Sequence, residues 1–402
     1  MKILYVCHSA HRPSHYPFAV LHESMALRRL GAEVFLCTFS GILDSDELNE
    51  IVHTKVVATR YGYSIRLISH LLDVLKLKPL VGFLEQFSTL FLAVRLRKRL
   101  GCDVIYLRDG DLFIFIPFLF GLLTKSIRWA ISMIGLVQRM SHDSWPYKFI
   151  NSSLWKPIYR RSLSRNRFVI LCQNTYIEDY FKTSFLGGIL SKDVQLFNTW
   201  VSSVNQVISQ RDARAYLGLG EGKLVILSFG ALHGGKDIEA VMHAIKQIPD
   251  IILLQAGKVT SSVDVQSIVR NLGLQDKVVI NDYYIPESEK GYYFAASDAV
   301  ILSYKKDFIQ TASMLWEAAA YRLPVIASDI GELGVFVQRY DLGLVFKAED
   351  VESLKEVLLR FFKYDREKKM DFTRKCDKFC AEYAIEKWAQ RFMDISGRLC
   401  NK

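Results

Sequence analysis

The sequence predicts an α/β chain of two doubly wound domains with parallel sheets, and three observations carry that prediction. At 402 residues the chain exceeds what one hydrophobic core usually supports, so two domains of about 200 residues each are expected. Its apolar segments are short continuous runs rather than alternating ones, the pattern of strands covered by helices on both faces. Strand-helix alternation then restarts near residue 200.

Taken in order, 2–7 (KILYVC) reads as the first strand, 18–30 as a helix with apolar residues at three-four spacing, and 33–37 (EVFLC) as the next strand. Further buried strands are expected at 103–107 (DVIYL), 127–132 and 168–172 (FVILC). The polar, aperiodic stretch 198–206 reads as a linker, dividing the chain into 1–200 and 205–384. Beyond it the runs 224–228 (LVILS), 251–255 (IILLQ), 278–280, 299–303 (AVILS) and 324–328 (PVIAS) form the second set of strands. Asp350 is placed to cap a helix over 351–362, and 385–399 is a last amphipathic helix.

Composition narrows the class. Half the residues are apolar, enough for two filled cores. The seven cysteines are odd in number and form no CxxC pair, which points to a reduced, cytoplasmic protein. The first residues turn polar too soon for a signal peptide. The longest apolar run, 112–123 (LFIFIPFLFGLL), is shorter than a spanning helix and contains Pro117 and Gly121, so no transmembrane segment is expected. The net charge of +10 is one-sided: residues 1–200 hold 25 basic against 15 acidic side chains, and the remainder is balanced. Clusters at Arg95, Arg97, Lys98, Arg99 and at Arg160, Arg161, Arg165, Arg167 suit an anionic membrane surface or an acidic or lipid-diphosphate acceptor, or are simply the solvated faces of helices. No helix-turn-helix, zinc module or RNA-binding aromatic motif accompanies them, which argues against nucleic acid.

Ligands of open α/β sheets bind beyond the carboxyl ends of the strands, where helix N-termini favour phosphate. In the second half that rule selects SFGALHGGKD, where Gly230 follows a strand and Lys236 offers a cation; a purely structural turn is the alternative. It also selects SYKKDFIQTASMLWEAAA, where a turn opens a helix bearing Glu317. That carboxylate either accepts ribose hydroxyls or is the exposed position of an otherwise buried helix. Gly257 and the pair Tyr283–Tyr284 border the same edge, suited to a nucleobase or to ordinary packing.

A glycine loop with a downstream lysine, a strand ending in glycine, AASDAVILSY and LWEAAAYRLPVIASDIGE together resemble the family-four retaining glycosyltransferases of GT-B fold. The resemblance covers nearly the whole chain and is most specific over 294–332. It implies two facing Rossmann-like domains, the second holding a UDP-sugar or GDP-sugar, with the 385–402 helix returning to the first. Gly230 and Lys236 match the diphosphate loop, and Glu317 the second of the family's paired glutamates. Both Lys236 and Glu317 are thereby catalytic candidates. Gly257, Tyr283, Tyr304, Thr311, Ala312, Ser313 and Met314 are the implied donor contacts, Tyr304 through a tyrosine-basic variant of its loop. Three departures stand out: Ala231 where an arginine is usual, Ile309 where the first glutamate falls, and no histidine after the 127–132 strand. In the first half the implied acceptor contacts are Ser14 and His15, then Arg108 and Asp109, with His142 in place of the missing histidine.

Neither a cofactor nor a metal is expected, because Pro13 separates His11 from His15 and Asp109–Gly110–Asp111 has no further ligands nearby. The function implied is transfer of a sugar to a glycan or lipid-linked acceptor in surface polysaccharide or glycoconjugate synthesis, by a cytoplasmic protein in peripheral contact with the inner face of the plasma membrane. The departures keep open a catalytically silent partner that only binds a sugar nucleotide.

Overall fold

The computed structural model describes residues 1–7, 16–38, 57–58, 78–108, 114–133, 148–149, 151–201, 204, 208–308 and 312–401. The chain forms two compact units, Met1–Thr199 with Ile385–Lys402, and Trp200–Ala384.

In the first unit, β1 (Lys2–Cys7), β2 (Glu33–Thr38), β3 (Val57–Ala58), β4 (Val104–Leu107), β5 (Arg128–Met133), β6 (Arg167–Cys172) and β7 (Val194–Leu196) make one parallel sheet in the order β3-β2-β1-β4-β5-β6-β7. Continuous burial of β1, β4 and β5 explains why these runs are unbroken in the sequence: both faces of the sheet are covered. The run at 112–123 becomes the helix Phe115–Leu123, with Pro117 tolerated in its first turn. Among the described residues no helix is long and apolar enough to cross a membrane. The helix Ile385–Asn401 buries Trp388, Phe392 and Ile395. Phe392 lies 4.6 Å from the ring of Tyr106 on β4, and Trp388 lies 5.5 Å from Phe197 just past β7.

In the second unit, β8 (Leu224–Phe229), β9 (Ile251–Ala256), β10 (Val278–Asn281), β11 (Ala299–Leu302), β12 (Val325–Ser328) and β13 (Gly343–Phe346) form a parallel sheet in the order β10-β9-β8-β11-β12-β13. Several of its helices start where short polar side chains cap them: Asp237 accepts from Ala240 N, and Asp350 from Ser353 N at 2.9 Å, as the sequence predicts for Asp350. Each sheet reverses its winding once, between β1 and β4 and between β8 and β11. These are the switch points at which doubly wound sheets open a crevice for ligands.

Candidate active site

At the β8/β11 switch point the loop after β8 begins at Gly230, whose φ of +85° turns the chain out of the strand. Gly257, just past β9, has φ +136°, and a Cβ there would overlap the Gly230 carbonyl, with the carbonyl carbon only 2.6 Å away. Both glycines are therefore demanded by two loops that pass backbone to backbone. The segment after β11 packs against the same loop: Lys236 and Tyr304 form an antiparallel bridge, and Lys305 N donates to Gly235 O at 3.1 Å.

Lys236 has its stem half-buried and its ammonium drawn inward, where Nζ donates to Phe229 O at 2.8 Å. Burial pushes its pKa down to about 8. It shares a small cavity with Ser228, Ile301, Ser303 and Tyr304. The ring of Tyr304 is buried and stacks on Phe308 at 3.9 Å, while its backbone bridges Lys236.

The helix Ser313–Ala320 follows β11 with Ala312 as its cap, and no side chain caps it. The amides of Ser313 and Met314 lie in its first turn, where no intrahelical acceptor exists. Met314 reaches the glycine loop: a Cβ on Gly230 would meet its Sδ at 3.9 Å. One turn on, Glu317 is 24% exposed and ion-paired through Oε2 with Lys290 Nζ at 3.0 Å. Tyr283 is partly exposed. Its hydroxyl donates to Glu289 at 3.0 Å and lies 2.8 Å from the Tyr293 hydroxyl. Thus Gly230, Lys236, Gly257, Ala312, Ser313, Met314 and Glu317 gather around one strand edge. Thr311 lies outside the described residues.

On the first unit's switch point, Arg108 directly follows β4 and is almost fully buried, with Nε donating to Glu23 Oε1 at 3.0 Å. Tyr5 donates to Glu23 Oε2 at 2.7 Å, and Tyr106 does so at 3.3 Å. Burial first, and the Glu23 charge second, raise both tyrosine pKa values well above the ordinary range, so both remain donors. Ser14, His15, Asp109 and His142 lie outside the described residues.

Sequence reasoning did not single out Lys290, whose link to Glu317 joins distant segments, nor the hydroxyls steadying the glycine loop. Ser262 Oγ accepts from Gly234 N at 3.1 Å and lies 2.7 Å from Thr260 Oγ1. Only the short-range Glu287–Lys290 spacing was open to a helical reading.

Residues 209–378, almost all of the second unit, match the family model described as glycosyl transferases group 1. Over these residues the second unit is similar to the group 1 glycosyl transferases. The D-inositol 3-phosphate glycosyltransferase of Rhodococcus erythropolis is 30% identical over 152 residues. That match spans 35% of this chain and 34% of the relative's length. Across the whole chain the fold is that of solved glycosyltransferases. A glycosyltransferase from Rickettsia africae superposes with a TM-score of 0.70 at 13% identity, over 99% of this chain and 98% of its own. Anabaena HepE, in complex with UDP and glucose, gives 0.68 at 13% identity, over 99% and 100%. At such identities the likeness is one of fold. The resemblance to GT-B glycosyltransferases of family four is therefore borne out, and the second unit carries the β8/β11 site described above.

Proposed function

We propose that the chain is a glycosyltransferase that takes a sugar from a nucleoside diphosphate donor, with retention of configuration, and passes it to a glycan or lipid-linked saccharide. The observation that carries this reading is the buried ammonium of Lys236 beside the Gly230–Gly257 backbone contact, within the residues that match the group 1 model. A cation and the first-turn amides of a helix at one strand edge are what a departing diphosphate requires, since the charge that develops there is stabilised by donors already in place. Glu317 accepts from the ribose. Lys236 supplies the cationic stabilisation, so the donor step is proposed to proceed without a metal, and chelation leaves turnover unchanged. That one structural neighbour is a complex with UDP and glucose supports a nucleotide-sugar donor.

For the acceptor side, the first unit exposes Phe87, Phe91, Phe149, Leu123 and Leu154, and Arg95 lies over the Phe91 ring at 4.3 Å. Apolar and basic side chains together on the described surface support a peripheral contact with an anionic membrane, from which a lipid-linked acceptor is drawn. Reversing Arg95 and Arg99 together with Arg160 and Arg161 is expected to abolish binding to anionic vesicles; unchanged binding refutes this part.

The deciding experiment is calorimetric and thermal-shift binding of UDP, GDP and ADP to the wild type, Lys236→Ala and Glu317→Ala. Selective binding of one nucleotide, weakened at least tenfold by each substitution, is expected; no binding of any nucleotide refutes the donor site. Ala231 and Ile309 favour a second reading, a silent partner of the same fold. Its signature is selective nucleotide binding with neither transfer nor donor hydrolysis across a panel of acceptors.

A further inference from the structure

Lys290 lies on the helix Glu287–Ala296 with its side chain only 11% exposed, yet it remains charged between two carboxylates. Nζ is 2.9 Å from Glu287 Oε1 and 3.0 Å from Glu317 Oε2. The two partners differ. Glu287 is 64% exposed, three residues back on the same helix, and such pairs form on any helix surface. Glu317 comes from a separate element, the helix following β11, and is mostly enclosed. Burial alone lowers a lysine's pKa; here the charge of Glu317 and then that of Glu287 outweigh it, and the ammonium is held above its ordinary range.

The position of Glu317 gives this pair its meaning. It stands one turn beyond Met314, which reaches Gly230, and its surroundings are aromatic: Phe294 stacks on Tyr321 at 4.2 Å, and the charges of both Lys290 and Glu317 act on the Tyr321 hydroxyl. A glutamate side chain left without a fixed partner samples several rotamers. One that must accept from a vicinal diol needs a single orientation before the ligand arrives.

We infer that Lys290 is a positioning residue for nucleotide recognition: it fixes Glu317 through Oε2 and leaves the rest of that carboxylate for the vicinal diol of the donor ribose. This rests on the reading of the β8/β11 site as a sugar-nucleotide site. Lys290 touches neither the diphosphate nor the sugar; it acts through Glu317. Its removal therefore affects the discrimination between ribose and 2′-deoxyribose, a property that general loosening of the helix does not select.

The test compares wild type, Lys290→Met and Lys290→Arg, titrated by calorimetry with UDP and with 2′-deoxy-UDP, or with the corresponding pair for whichever base binds. Folding is checked by thermal unfolding. A hydroxyl bonded to a carboxylate supports a preference for the ribonucleotide of about 10- to 100-fold in the wild type. Lys290→Met is expected to weaken UDP binding about tenfold and reduce the preference to about threefold or less, and Lys290→Arg to restore most of both. Should Lys290→Met fail to fold, the double variant Glu287→Gln/Lys290→Met, with one fewer uncompensated carboxylate, carries the same comparison. A folded variant without the ammonium that keeps the wild-type ratio overturns the inference and leaves the donor site standing. A wild type that binds no nucleotide removes both.

Discussion

Replacing Lys236 with Met separates what the site costs the fold from what it does. Burial holds the ammonium at about 8 against an ordinary 10.5, a gap worth roughly 3 kcal/mol between its two protonation states. The hydrogen bond from Nζ to Phe229 O offsets part of any desolvation, about 1–2 kcal/mol for a charged donor, and partial exposure of the stem discounts the rest. Methionine keeps the stem's packing without the charge. It is expected to stabilise the second unit by about 1–2 kcal/mol at pH 7, a rise of about 2–6 °C in Tm. The sign follows from linkage: a folded pKa below the unfolded one means that the folded state binds the proton less tightly. The penalty is complete below about pH 8 and fades as pH climbs from 8 to 10.5. The stability gap between variant and wild type therefore narrows from pH 7 to pH 10. Bound diphosphate has the opposite preference, so wild-type nucleotide affinity declines above pH 8, and that of Lys236→Met is weak and flat. Thermal unfolding with and without UDP at pH 7, 8.5 and 10, beside calorimetry, measures all of this. A Lys236→Met protein no more stable than wild type at pH 7, or a gap that ignores pH, would refute the argument.

Three further outcomes follow from contacts on either unit. Gly257→Ala forces apart two loops whose backbones touch at Gly230 and places alanine at a φ of +136°; a loss of about 2–3 kcal/mol in urea titration is expected, with nucleotide binding weakened roughly tenfold. Glu23→Ala removes the carboxylate that pairs with the buried Arg108 and accepts from Tyr5 and Tyr106, costing about 3–5 kcal/mol by denaturant titration, while Glu23→Gln, which keeps an acceptor, costs less. Gly121→Ala drives a methyl into Ser162 Oγ where the helices Phe115–Leu123 and Lys156–Arg165 cross, costing about 1–3 kcal/mol; Ser162→Gly in the same chain relieves it.

The strands that could be read from the sequence are those with both faces buried. KILYVC, LVILS and IILLQ appear within a residue or so of their expected bounds as β1, β8 and β9, because continuous burial leaves a continuous apolar run. β3, β7 and β13 were not read as strands. The first two have two and three residues, and β13 alternates in burial as an edge strand does. At the site, Gly230 and Lys236 were visible because a glycine directly after a strand and a nearby cation follow the chain's own order. Side-chain direction was not visible. An arginine or tyrosine at the carboxyl end of a strand bears no local mark of whether it faces a ligand. In the structure Arg108 turns onto Glu23, and the ring of Tyr304 lies on Phe308. Lys290 escaped for a related reason: its partner Glu317 is fixed by packing between two helices, not by spacing along one.

The helix Ile385–Asn401 completes a unit whose other residues end at Thr199. On the ribosome, Tyr106 and Phe197 emerge long before Trp388 and Phe392, and the whole second unit is translated in the interval. The first unit must therefore wait, with an aromatic face open to solvent, for the last segment to be delivered. A nascent chain in that interval is a natural client for chaperones, and its lifetime is set by the translation of a domain to which that face does not belong. A rearranged gene that encodes the closing helix ahead of β1 would remove the wait, letting the first unit close before the second is made.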